Sequence, residues 1–139
     1  MVAADWIYQT LAADETLTAL LASAPSGGPG IYDTDAEEGA PYPYVVFNLH
    51  DPNSVKGMGA RRVWLDGLWI VRGVDECESF EELEAIADRI DALLHLQSGT
   101  VEAGRAEAFQ EDPFELAYAG GGRKFRELGG AYRVYAQEG

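Results

Sequence analysis

At 139 residues and 15.1 kDa the chain has the size of one domain, which excludes two catalytic domains in tandem. Its apolar content of 47% and aromatic content of 11% are too high for a disordered polymer, so a core is expected. Ten Lys plus Arg against 24 Asp plus Glu give a net charge of −14, which repels a phosphate backbone and speaks against ordinary nucleic-acid binding.

From Trp6 to Leu21 the residues Trp6, Ile7, Leu11, Leu17, Leu20 and Leu21 recur at spacings that suit one helical face, with Asp5 as a candidate N-cap. Asp14-Glu15-Thr16 resembles a second cap, where the helix can break and restart. Pro25 and the run Ser26-Gly27-Gly28-Pro29-Gly30 end it in a loop, followed by the short extended piece Ile31-Tyr32-Asp33.

Tyr42 to His50 has the aromatic and β-branched content of a strand, with Pro43 tolerable at its start or on an edge. Asp51 to Ala60, holding Pro52, Gly57 and Gly59, reads as a mobile connection. In Val63 to Arg72 one face carries Val63, Leu65, Trp69 and Val71 and the other Trp64, Leu68 and Ile70, a strand that needs cover on both sides.

Ser79-Phe80-Glu81-Glu82 predicts a capping box with Ser79 as N-cap. Phe80, Leu83, Ile86, Ala87, Ile90, Leu93 and Leu94 then form a stripe at helical spacing. Beyond Gly99, Val101 to Phe109, Phe114 to Tyr118, Phe125 to Leu128 and Ala131 to Ala136 read as separate strands, with a turn at Gly120-Gly121-Gly122. The order predicts a single α+β domain over residues 1–139, one mainly antiparallel sheet with two principal helices packed on it.

Catalytic constellations are hard to find. His50 and His95 lack ligand spacing, and His95 suits the end of a helix, where it meets the negative pole of the dipole. Asp33-Thr34-Asp35 has the outline of an aspartyl-phosphate nucleophile motif, but Ala36 and Glu37 follow where a hydroxyl or β-branched residue belongs, and an exposed acidic loop is the plainer reading. Asp51-Pro52-Asn53-Ser54 begins like a calcium loop and fails at Val55, Lys56 and Arg62. None of the glycines forms a phosphate cradle.

Cys77 is the single cysteine, set among Asp75, Glu76 and Glu78, which disfavours its thiolate. No disulfide can form within one chain, and a reducing compartment follows. The start, Met-Val-Ala-Ala-Asp-Trp, lacks the basic and apolar regions of a signal peptide, and no apolar run approaches the about 18 residues of a spanning helix. A soluble protein made in a cytoplasm is expected.

Charge is segregated along the chain. Eight acids lie between Asp75 and Asp91, with Glu81, Glu84, Asp88 and Asp91 forming a ridge along the second helix. Basic residues gather in two glycine-containing loops, Lys56 with Arg61 and Arg62, and Arg123 with Lys124 and Arg126. Two readings stay open: solvated faces, or an acidic ridge on one copy meeting a basic loop on the next in a head-to-tail ring. The aromatic surplus Tyr42, Tyr44, Trp64 and Trp69 favours an assembling protein.

Gly30-Ile31-Tyr32-Asp33 followed by Ala40-Pro41-Tyr42-Pro43-Tyr44-Val45-Val46-Phe47 resembles the tail-completion or tail-terminator proteins of long-tailed bacteriophages. The helix restart from Asp14 to Leu17, the helix Phe80 to His95 and the closing Tyr132-Arg133-Val134-Tyr135 strand fall where that family has them. The loop Thr34 to Gly39 and the stretch Asp112 to Leu128 depart from its common pattern.

The resemblance implies a non-enzymatic virion protein at the head-proximal end of the tail, forming a hexameric ring that stops tube polymerisation. Its implied partners are copies of itself, the tail tube protein and a head connector or stopper protein, with DNA only a passing passenger, no membrane and no cofactor. Glu81, Glu84, Asp88 and Asp91 would then line the lumen or the outer wall. Two further readings are an acidic inhibitor that imitates DNA, against which the basic loops count, and a small hydrolase or transferase using Asp33 and Asp35.

Overall fold

The computed structural model describes residues 2–56 and 62–138, and side chains outside 53–65. The chain opens with α1 (Val2–Ala12) and α2 (Glu15–Thr18). The break between them falls at Asp14, whose carboxylate accepts the Leu17 N–H at 2.8 Å and caps α2. Asp5 does not cap α1. The helix already starts at Val2, so Asp5 lies in its first turn, where an acid suits the positive pole of the dipole.

Six strands follow, with one further helix among them: β1 (Ile31–Asp33), β2 (Tyr44–Lys56), β3 (Arg62–Asp75), α3 (Glu81–Leu94), β4 (Gln97–Val101), β5 (Gly104–Gly120) and β6 (Arg123–Glu138). They form one sheet in the order β1-β2-β3-β6-β5-β4, in which β1 runs parallel to β2 and every other pair is antiparallel. The architecture is α+β, mainly antiparallel, with α1 and α3 against one face.

The core lies between that face and the helices. Trp6, Ile7 and Leu11 of α1 and Leu83, Ile86, Ile90 and Leu94 of α3 close over Val45, Phe47, Trp69, Val71, Tyr132 and Val134. Each of these aliphatic side chains contributes roughly 1.5–3 kcal/mol through burial. α3 crosses the sheet at Gly73, where an added Cβ would stand 2.8 Å from Ile86 Cγ2. Glycine there sets how near the helix lies.

Several expectations are corrected. β2 does not give way to a connection at Asp51 but runs on to Lys56, with Pro52 opposite Gly67 and a bulge between Leu49 and Asp51. Among the described residues the short β1 pairs only with Val45, Val46 and Phe47, so the rest of β2 is an edge strand, where proline is tolerated. The same reasoning applies to Pro113. β4 ends its pairing at Ala108, leaving the far part of β5 as an edge, and the two predicted strands merge across a bulge between Gln110 and Asp112.

The pair predicted for the last segment likewise merges into β6. Ser79 is not the N-cap of α3. Phe80 holds that position without a side-chain hydrogen bond, and the Ser79 hydroxyl accepts from the Glu81 N–H at 3.4 Å instead of from Glu82.

Candidate interaction surface

The alternation along β3 places Trp69 and Val71 under the helices and Leu68, Ile70 and Arg72 on the opposite face. At the β1 end the loop from Thr34 to Pro43 covers that second face, packing Ala36 and Ala40 on Tyr32, Val46 and Val74. Toward β5 no helix covers it among the described residues. Leu68, Ile70, Ala131, Tyr135 and Phe109 are there only half-buried, with Phe109 and Tyr135 stacked at 6.4 Å between ring centroids.

Two arginines rise from this open face, each held by acceptors from neighbouring strands. Arg72 donates to Glu127 at 3.0 Å and to Asn48, joining β2, β3 and β6, and both members of the ion pair are largely buried. Arg133 bridges Asp66 at 3.2 Å and Glu111 at 2.9 Å, and these carboxylates raise its pKa. The sequence reading missed both networks. Their partners are brought together by strand register, across 55 residues for Arg72 and Glu127.

The β5–β6 hairpin projects beyond the last β3 pairing at Asp75 and Arg126. Leu116 and Tyr118 on its outer strand are 43% and 42% exposed, large for apolar and aromatic side chains in a well-formed strand. An aromatic row continues from it into the sheet: Tyr118 stacks on Phe125 at 5.3 Å, Phe125 meets Tyr42 at 6.0 Å, and Tyr42 stacks on Tyr44 at 5.2 Å. Burial, and secondarily Tyr42, pushes the Tyr44 hydroxyl up to about 12.

The basic residues of this hairpin have partners in their own chain. Arg123 chelates Glu76 and lies over the Phe125 ring, Lys124 stands 3.6 Å from Glu78, and Arg126 donates to the Glu78 carbonyl and covers Phe80. All three pairs sit near the surface. Of the other basic cluster, Arg61 lies outside the described residues, and so do the side chains of Lys56 and Arg62 and that of Trp64.

On α3, Glu81, Glu84 and Asp88 are exposed, whereas Asp91 is half-buried and accepts the Tyr132 hydroxyl at 3.0 Å. Asp91 therefore braces the helix to β6 and stands apart from the open ridge. His95 is the C-cap of α3, and its Nδ1 accepts the Gln110 N–H at 2.9 Å, tying the helix end to the β5 bulge. His50 is exposed within the bulge of β2.

Asp33 and Asp35 are exposed, and Asp33 accepts from the Thr34 hydroxyl at 3.0 Å. Cys77 donates to the Ser79 carbonyl, and burial followed by the Asp75 charge pushes its thiol up, away from the reactive thiolate. Among the described residues no group of three His, Cys, Asp or Glu is placed to hold a metal ion, and no helix is long and apolar enough to cross a membrane.

The fold and its surface thus define a small α+β domain with one sheet face sealed by helices and the other partly open, laced with ion pairs. No protein-family model matches the chain, and no curated protein matches its sequence. Among solved structures it is similar to a chain in the virion of a native gene transfer agent particle, with a TM-score of 0.68 and 17% identity, over 94% of this chain and 91% of that one. At this identity the likeness establishes a common fold.

Proposed function

We propose that this protein is a structural component of a virion, and within that class a tail-terminator-like subunit that assembles as a ring, caps the tail tube and joins it to a head connector. The observation that carries the proposal is the fold likeness over nearly the full length to a chain of a gene transfer agent virion. The half-buried face around Leu68, Ile70, Phe109 and Tyr135 supports it, because such surface is what one copy buries against another. The arm bearing Leu116, Tyr118, Arg123, Lys124 and Arg126 is the proposed reach toward a neighbour, with Tyr42 and Tyr44 at its base.

In this reading Glu81, Glu84 and Asp88 form an exposed acidic strip on the ring, and placed on the lumen they would repel passing DNA. The decisive experiment mixes the purified protein with purified tail tubes and images the product by electron microscopy. Rings at one tube end, with growth arrested there, are expected. Tubes that stay bare and keep growing would overturn the proposal. Arg123→Glu with Lys124→Glu should keep the native circular dichroism spectrum and abolish capping.

A further inference from the structure

β4 is the last strand of the sheet, so one of its edges carries no strand among the described residues. Natural edges are usually guarded by Lys, Pro or a bulge. β4 reads Gln97-Ser98-Gly99-Thr100-Val101, with neither charge nor proline, in a chain of net charge −14. Its turn to β5 is the pair Glu102-Ala103, which makes Val101 and Gly104 the hydrogen-bonded pair that closes a two-residue hairpin. By antiparallel alternation the N–H and C=O of Ser98 and Thr100 then point away from β5, toward the open edge.

Concavities flank this edge on both faces. On the helix side a groove of about 410 Å³ runs between β4, Trp6 and Thr10 of α1 and Leu93 of α3. Gly99 lines it, and the Trp6 indole packs directly on that glycine, since an added Cβ would stand 2.7 Å from Trp6 Nε1. On the other face a second concavity of about 330 Å³ lies among Leu96, Ser98, Glu107, Phe109 and Tyr135. A third of about 420 Å³ borders Thr100 and Val101, with Glu102, Arg105 and Glu138 around it. Leu96, 76% exposed with φ of +58°, stands where the edge begins.

We propose that β4 is a docking edge that accepts an extended, positively charged segment of a partner protein as a seventh strand. Backbone pairing to Ser98 and Thr100 supplies attachment, and side chains of the added strand, alternating between faces, enter the two flanking concavities. An apolar residue suits the Trp6–Leu93 groove, and a basic residue suits the position beside Glu107. A second copy of β4 is the poorer occupant. Its own Ser98, Gly99 and Thr100 are too small to fill the grooves, and its chain brings a further fourteen negative charges.

The test uses the whole protein, labelled with ¹⁵N, and the peptide acetyl-Lys-Leu-Lys-Val-Lys-Leu-Lys-amide. Binding should shift and protect from exchange the amides of Ser98 and Thr100. A peptide of equal charge with proline in place of the central valine should bind about tenfold more weakly, since a strand hydrogen bond is lost. Thr100→Pro should weaken the first peptide by a similar factor, and Thr100→Lys, which keeps the backbone donor and the fold, should do so through like charge. Equal binding of the two peptides, undiminished binding to Thr100→Lys, or shifts mapping away from β4 would overturn the proposal. So would a concentration-dependent dimer abolished by Thr100→Lys, because it would make a second copy the occupant. The readout needs no tail tube, so failure here and failure of the assembly role are separate results.

Discussion

Arg89 on α3 holds Asp14 with two hydrogen bonds, Nε to Oδ2 at 2.8 Å and Nη2 to Oδ1 at 2.7 Å, while the same carboxylate caps α2. One acid thus ends a helix break and fastens it to the far helix. The Arg89 guanidinium holds the Asp14 carboxyl below its ordinary range, against an opposing push from burial.

Because the folded-state pKa of Asp14 is depressed, its contribution to stability is complete above the unfolded value of about 3.9 and fades as the pH falls through the folded one. Asp14→Ala should cost about 1 kcal/mol at neutral pH through loss of the cap, measured by urea unfolding. Its stability should also fall less steeply than that of the parent as the pH drops below about 4.

Tyr132 is 1% exposed and donates to Asp91, and burial followed by the Asp91 charge raises its hydroxyl pKa. Tyr132→Phe should destabilise by roughly 1–3 kcal/mol, since Asp91 then loses its donor in a half-buried site. Its raised pKa means that the tyrosine contributes fully below about pH 10 and less as the pH rises toward the folded value. The difference between the parent and Tyr132→Phe in urea unfolding should therefore narrow only in strong alkali.

Tyr32 gives the opposite sign. Its hydroxyl is buried among the described residues with no hydrogen-bond partner, so removing it relieves a desolvation penalty. Tyr32→Phe should stabilise by about 1 kcal/mol in the same assay, while keeping the edge contact with Tyr44 at 5.5 Å.

The Arg72–Glu127 pair tests the sheet face away from the helices. Arg72→Met alone strands a buried carboxylate and should cost about 3–5 kcal/mol. Pairing it with Glu127→Leu should recover most of that loss, as replacement of a buried ion pair by apolar side chains of similar volume often does. A double-mutant cycle by calorimetry reads the coupling, and a double variant no better than the single would contradict the geometry.

The sequence disclosed what depends on local pattern. The spacing of Leu83, Ile86, Ile90 and Leu94 set out α3, and Asp14 marked the helix restart, because a cap and an amphipathic stripe are each written within a few residues. It concealed what depends on pairing at a distance. β4 is polar and short, and becomes a strand only because Gln97 to Val101 meets Ala108 to Gly104. Pro52 fell in a predicted connection and Pro113 between two predicted strands, because nothing nearby reveals that their strands have already become edges. Arg72 and Arg133 looked like ordinary strand cations until register set Glu127, Asp66 and Glu111 beside them. The site legible at the outset was therefore a list of charged residues with Tyr42 and Tyr44, and the unfilled surface between them appeared only with the sheet.

The contact between Tyr42 and Phe125 gives the protruding hairpin its bearing. A free two-stranded ribbon twists strongly and wanders in solution. Here a ring from the segment leading into β2 props the ribbon near its root, so a loop distant in the primary structure works as a buttress. It shares that task with Arg123 on Glu76 and Arg126 on Glu78 and Phe80, so an aromatic contact and surface charges set the ribbon's bearing together, and added salt would slacken the second and spare the first.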